Sequence, residues 1–411
     1  MSTLLQPESH SGEYQIRPTP ITIAPAPSDQ VPLPTRQRVD HVDLLRGLVM
    51  VIMVLDHVRD YLTNAHFDPT DLMRTDLALF GTRWITHFCA PIFIFLAGAS
   101  AWIAGTRRTR AVLTRFLVTR GLWLILLEFT VISFGWYFSI HWTVGARAQV
   151  IWAIGASMVI LAGLIHLPRP AIAGFGLLLV LGHNLLDGIT PAAFGALAPL
   201  WHVLHVPGEL GTLSLRYPLV PWVGVMALGF LAGPAVFSQD LLVSRRLAWA
   251  GGFLVFAFVE LRLVNLYGDP SPRFDFGDTA MMLMSFLNTT KYPPSLLYLL
   301  MTLGPGLVAL SLFRQAKGQL AGVFVTFGRV PFLFYVAHLY LVHSIAVAAG
   351  LVQGFPASAM LTYFRDLPKD YGFGLPVVYL VWMGVVAALY PPCRRYAELK
   401  GRKREWWMSY L

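Results

Sequence analysis

Asp56, His57, Arg59 and Asp60 are the residues whose types and spacing could do chemistry, because they close an otherwise apolar run from Gly47 to Leu55. On a helix rising about 1.5 Å per residue they lie three to four turns beyond Arg46. Asp56 and Asp60 share one face at spacing four, and Arg59 reaches Asp56 at spacing three. His57 points to an adjacent sector. The residues admit two readings. One is the polar mouth of a helix, with Arg59 neutralising a carboxylate. The other is a histidine in a membrane cavity, with Asp56 or Asp60 orienting the ring and His57 moving a proton.

A second apolar segment adds His87, just before Pro91. Pro91 frees a backbone carbonyl and favours a kink. Gly98, Ala99 and Ser100 are small enough for close helix approach. His87 alone reads as a satisfied polar group; at the depth of His57 it also reads as a second base.

Further polar residues fall inside apolar segments. Glu128 has no local partner and needs either a proton or an arginine across the bundle. Glu260 and Arg262, two apart, face different ways, so each needs a partner elsewhere. His338 follows Tyr335 by one turn, and His343 lies on another face. Lys291 opens the run Lys291-Tyr292-Pro293-Pro294-Ser295 before an apolar segment. For each of these, packing competes with chemistry. No glycine-rich nucleotide loop, Gly-x-Ser-x-Gly elbow or metal-ligand spacing stands out, so no metal is expected.

Helices must position these groups. Of the 411 residues, 56% are hydrophobic and 13% charged, about half the charge of an ordinary soluble domain. Apolar blocks of about 17–25 residues match a hydrocarbon core. The predicted fold is all-α, a polytopic transmembrane bundle of about ten helices. They are placed near 44–62, 84–105, 116–138, 148–167, 171–186, 217–237, 247–267, 295–314, 331–350 and 375–392. The fifth is short and interrupted by glycines; 192–206 reads as a re-entrant or interfacial piece. Residues 1–35, rich in Pro, Thr and Ser, read as a disordered tail.

The formal charge is +9. The cations sit in short loops between apolar blocks, which disfavours nucleic acid. Most Lys and Arg fall on one side of the bundle, which predicts cytoplasmic termini. The longer connections at 62–83, 187–216, 268–294 and 351–374 then share the opposite side. Cys89 and Cys393 fall at opposite faces, so no disulfide is expected between them.

Several of these runs resemble the heparan-alpha-glucosaminide N-acetyltransferase catalytic-domain family, its bacterial branch in particular. They are Arg38–Gly47, Met53–His57 and Pro91–Ser100, with Arg216–Trp222, Lys291–Ser295 and Phe327–Pro331 further on. The resemblance spans about residues 36–411. It implies a transmembrane acyltransferase that takes an acetyl-type group from cytoplasmic acetyl-CoA, as co-substrate, to an amino sugar or glycan on the far side. It also implies a bacterial cytoplasmic (inner) membrane. By motif, the family's late helix-one polar position falls on His57 and a helix-two aspartate position on His87. His66 lies near the family's loop histidine but out of step.

On that reading His57 is the first candidate base, Asp56 or Asp60 its orienter, and His87 a second base or acceptor ligand. Arg46, Arg107, Arg108 and Arg329 are candidates for the CoA phosphates, although the positive-inside rule explains them equally. Arg83, Lys291, Glu260 and His338 are candidates for acceptor binding. The expected partners are the lipid bilayer, an acyl-CoA, the acceptor and, as one option, a second copy of the chain. The rival class is a proton-coupled transporter or exporter, since intramembrane Asp, His and Glu also build proton relays.

Overall fold

The computed structural model describes residues 40–139 and 146–402. The expected tail at 1–35 and the basic residues Arg36, Arg38, Lys403 and Arg404 lie outside the described residues.

The described chain is an all-α polytopic membrane protein with one small sheet. Helix α1 spans Asp40–Leu62, and α2 (Leu77–Ile85) runs through a 3-10 turn at Thr86–Phe88 into α3 (Cys89–Gly105). Helix α4 (Arg110–Leu127) passes through a π-helical stretch at Glu128–Ile132 into α5 (Ser133–Tyr137). Then come β1 (Ala146–Ala148), α6 (Val150–Leu164), α7 (Arg169–Gly182), α8 (Ala198–Leu204), β2 (Gly208–Leu210) and β3 (Leu213–Leu215). The chain continues through α9 (Leu219–Val236), α10 (Leu241–Val264), α11 (Thr279–Leu287) and α12 (Leu296–Leu312). It ends with α13 (Gln319–Arg329), α14 (Pro331–Val352), α15 (Ala357–Met360) and α16 (Leu375–Arg402).

Eight described helical segments are long and apolar enough to cross a membrane. They match eight of the ten expected spans, including the glycine-interrupted fifth, which runs from Arg169 to Leu186. Leu178, Leu181 and Leu185 on that segment are exposed, as are Trp249, Phe253 and Phe256 on α10. So much outward apolar surface suits a lipid solvent rather than water.

The other two expected spans differ for separate reasons. Helix α6 has only 15 residues. Helix α1 has 23, but it carries Asp40, Asp43, Arg46, Asp56, Arg59 and Asp60. It packs inside the bundle against α3, α12, α13, α14 and α16, which shields the charges after Asp40 from the periphery. The crossing with α13 is very close. A Cβ on Gly47 would lie 1.8 Å from the Phe324 carbonyl oxygen, and one on Gly328 would lie 1.8 Å from that of Asp43. Backbone atoms cannot swing aside as a side chain can. Gly47→Ala should therefore cost about 1–3 kcal/mol of stability through overpacking, read as a lowered unfolding midpoint in detergent. An unchanged midpoint would show that the two helices separate freely.

The sheet has strand order β1-β3-β2, with β1 parallel and β2 antiparallel to β3. Its strands are three residues each, too short for an alternation pattern to reveal them in sequence. Pairing sets Arg147 opposite Ser214, and the Arg216 N–H donates to the Ala148 carbonyl at 3.1 Å. The chain leading into α6 is thereby tied to the chain leading into α9.

Candidate functional site

A cavity of about 380 Å³ opens among the connections at one end of the bundle. All four of the long connections expected to share a side contribute to it: Thr63 with Ala65–Pro69, Arg216, Lys291 with Tyr292, and Tyr363–Arg365. Its inner wall comes from Met53, Asp56, His57 and Asp60 on α1, Ala90 and Phe93 on α3, and Tyr335 on α14.

The polar end of α1 forms one ionic network. Asp56 accepts from Arg83 with both carboxylate oxygens 2.9 Å from Nη1, and from Arg59 Nη2 at 2.8 Å. The Thr86 hydroxyl sits 2.9 Å from the same carboxylate. Arg59 Nη2 also reaches Asp60 at 2.5 Å. Arg59 is only 2% exposed, lines the cavity, and leaves Nη1 without a hydrogen-bond partner among the described residues. The ion pair at spacing three is thus present, but Asp56 is occupied by arginines rather than by His57.

The His57 ring is held by other groups. Its Nδ1 lies 2.7 Å from His338 Nε2, with the two ring planes nearly parallel and their centres 4.9 Å apart. Trp136 packs edge-on against it at 4.8 Å. No described residue hydrogen-bonds its Nε2, and His57 lines the cavity.

Lys291 is positioned by a braced loop. Arg262, buried on α10, donates to the carbonyls of Ser271, Ser285, Phe286 and Asn288. Asp269 accepts from the Thr290 N–H and from the hydroxyls of Thr290 and Ser295. His183 meets the Pro294 carbonyl at 2.8 Å, and the Leu296 N–H donates to the Asn184 side chain. These fixed points leave the Lys291 amine without an ion pair among the described residues, 5.3 Å from the Tyr292 ring centre.

Arg147 lies 3.9 Å over the Tyr363 ring and donates to the Tyr137 hydroxyl at 3.0 Å. Burial pushes the Tyr363 phenol up, so this contact is cation–π with a neutral ring. Burial also pushes the Asp68 carboxyl up, but the Thr70 N–H and hydroxyl, together with Arg83 and Arg365, outweigh that and hold it below its usual value. Around the cavity, Arg59, Arg83, Arg147, Arg216, Lys291 and Arg365 outnumber Asp56, Asp60 and Asp68. The excess of cations suits an anionic group on a ligand.

The structure thus brings Asp56, His57, Asp60, Arg83 and Lys291 to one cavity, with His338 directly behind His57. His87 is buried beside Tyr298, whose hydroxyl donates to its carbonyl at 2.7 Å, and it is not part of the lining. Glu260 is exposed on α10 and also lies outside it. Arg46, Arg107, Arg108 and Arg329 do not line it either. Arg46 bridges Asp43, the Gly328 carbonyl and Ser100, Arg329 pairs with Asp40, and Arg107 and Arg108 are exposed. Glu128 finds a backbone partner instead of an arginine, accepting the Trp152 N–H at 2.8 Å near the start of α6. Sequence reading missed Thr86, Trp136, Gln149 and Tyr363 as lining residues, since none carries a charge that stands out in an apolar segment.

A family model described as heparan-alpha-glucosaminide N-acetyltransferase, catalytic, matches residues 38–260, more than half of the chain. No curated protein matches the chain.

Proposed function

Since the chain belongs to the heparan-alpha-glucosaminide N-acetyltransferase catalytic family, we propose that it is a membrane-embedded acyltransferase. It passes an acetyl-type group from a cytoplasmic acyl-CoA to an extracytoplasmic amino sugar or glycan. The observation that carries this reading is His57, on the wall of a cation-rich cavity with Nε2 unengaged. The proposed setting is a bacterial cytoplasmic membrane with both termini inside. Residues 36–411 then act as one transferase domain, and the cavity faces outward.

The thioester supplies an activated acyl group. His57 takes the proton that an amine or hydroxyl acceptor loses as it attacks the carbonyl carbon; the carbon–sulfur bond breaks and His57 passes that proton to the departing thiolate, which leaves as the free thiol. Arg59 and Lys291, both on the cavity lining, supply positive charge for anionic groups on the substrates. Asp56 holds Arg59 and Arg83 in place rather than touching the ring. Access from the face bearing Arg46, Arg107, Arg108 and Arg329 requires the seam of α1, α3 and α13 to part, because Arg46 ties those helices together.

Membrane vesicles given labelled acetyl-CoA and a glucosamine-type acceptor test the proposal. Label on the acceptor amine, dependent on this protein, supports it. Acceptor counterflow with no acetyl-CoA requirement overturns it in favour of a transporter. Lys291→Gln should raise the acceptor KM about 10-fold with kcat little changed, as expected when a charged contact of about 1.4 kcal/mol made equally in ground and transition states is removed. An unchanged KM would remove Lys291 from acceptor binding.

A further inference from the structure

We propose that His338 is a positioning residue that fixes the tautomer of His57, so that Nε2 is the nitrogen offered to the cavity. The catalytic consequence rests on the acyltransferase reading; the tautomer itself does not. Both His338 and Tyr335 lie beyond the segment matched by the family model.

His338 Nδ1 lies 3.0 Å from the Phe334 carbonyl oxygen, one turn earlier on α14. A carbonyl only accepts, so Nδ1 carries the hydrogen. In a neutral imidazole the other nitrogen is then a lone-pair acceptor. That nitrogen, Nε2, meets His57 Nδ1 at 2.7 Å. Two lone pairs cannot bond, so His57 Nδ1 carries a hydrogen and donates it. A neutral His57 therefore has its lone pair on Nε2.

The surroundings hold this arrangement. His338 is fully buried, with Phe334 stacked at 5.7 Å and Tyr335 edge-on at 5.5 Å. No described carboxylate hydrogen-bonds either ring, since Asp56 and Asp60 are paired with arginines. When His57 Nε2 accepts a proton from the acceptor, the Nδ1–H bond to His338 becomes charge-assisted and strengthens. The chain from the Phe334 carbonyl through His338 to His57 thus orients the base with no carboxylate.

The test uses full-length protein in lipid nanodiscs with ¹⁵N-labelled histidine. The His57 signals are assigned by their loss in His57→Asn. The wild type should show a protonated Nδ1 and a bare Nε2 on His57; a bare Nδ1 overturns the proposal whatever the activity. His338→Phe, which keeps a ring without an acceptor, should mix the tautomers and lower kcat by about 10²-fold or more, as for a base held in the wrong tautomer. His338→Gln places an amide oxygen where Nε2 stood, so it should keep the tautomer and most of kcat. Equal loss in both variants with the wild-type tautomer retained would overturn the positioning role. If the tautomer is as stated but the wild type transfers no acyl group, the inference about His338 survives and the acyltransferase reading fails.

Discussion

Replacing His57 by alanine lowers acyl transfer by about 10²–10⁴-fold, the usual contribution of a general base, with the protein still folded. The acceptor must lose a proton during attack, and His57, on the inner wall of the cavity, has a second nitrogen that no described residue engages; His66, the other lining imidazole, sits on the Thr63–Pro69 connection with its Nε2 on the Tyr371 carbonyl. Truncation also strands His338 Nε2, which costs about 1–3 kcal/mol for an unsatisfied buried group. His57→Asn separates the two effects. Its amide N–H replaces the donor to His338 but supplies no base, so stability recovers and transfer does not. Transfer at the wild-type rate in both variants would remove His57 from the mechanism.

Asp56→Asn should destabilise the fold by about 3–5 kcal/mol, the cost of breaking a buried ion pair from one side. The carboxylate lies between Arg59 and Arg83, which approach it to 2.8 and 2.9 Å. Arg59 retains Asp60 as a counter-ion, but Arg83 has no other carboxylate within ion-pair distance among the described residues. An amide there leaves an uncompensated guanidinium at the inner end of the cavity. The measurement is the yield of monodisperse protein and its unfolding midpoint. Asp56→Asn combined with Arg83→Gln should recover part of the loss, because the stranded charge is gone. A single variant with an unchanged midpoint would show that Asp56 is solvated rather than an anchor.

The polar cluster of α1 was legible because spacing alone sets which helical neighbours meet. Arg59 and Asp56, three apart, could be paired on paper. The partner of His57 could not. A carboxylate four residues away or less was the natural orienter, yet His338 stands 281 residues along the chain. Asp56 in turn is bound by Arg83 from α2. Glu128 illustrates the same limit, since its partner is a backbone N–H at the start of α6 rather than a cation. The sheet that pairs Arg147 with Ser214 left no trace in strands of three residues.

By itself, the sequence determined the long apolar helices, eight of which, among the described residues, are fit to cross a membrane. A chain in hydrocarbon must satisfy its backbone hydrogen bonds within each segment, so apolar length reads directly as a helix. The four long connections that an alternating topology would place together meet around one cavity. Only the tertiary structure decided which polar groups share that cavity and which stand apart, as His57 and Lys291 do from His87 and Glu260. That depends on how each helix is rotated and where it crosses its neighbours. Such choices are set by close contacts like Gly47 against Phe324, between residues far apart in the chain.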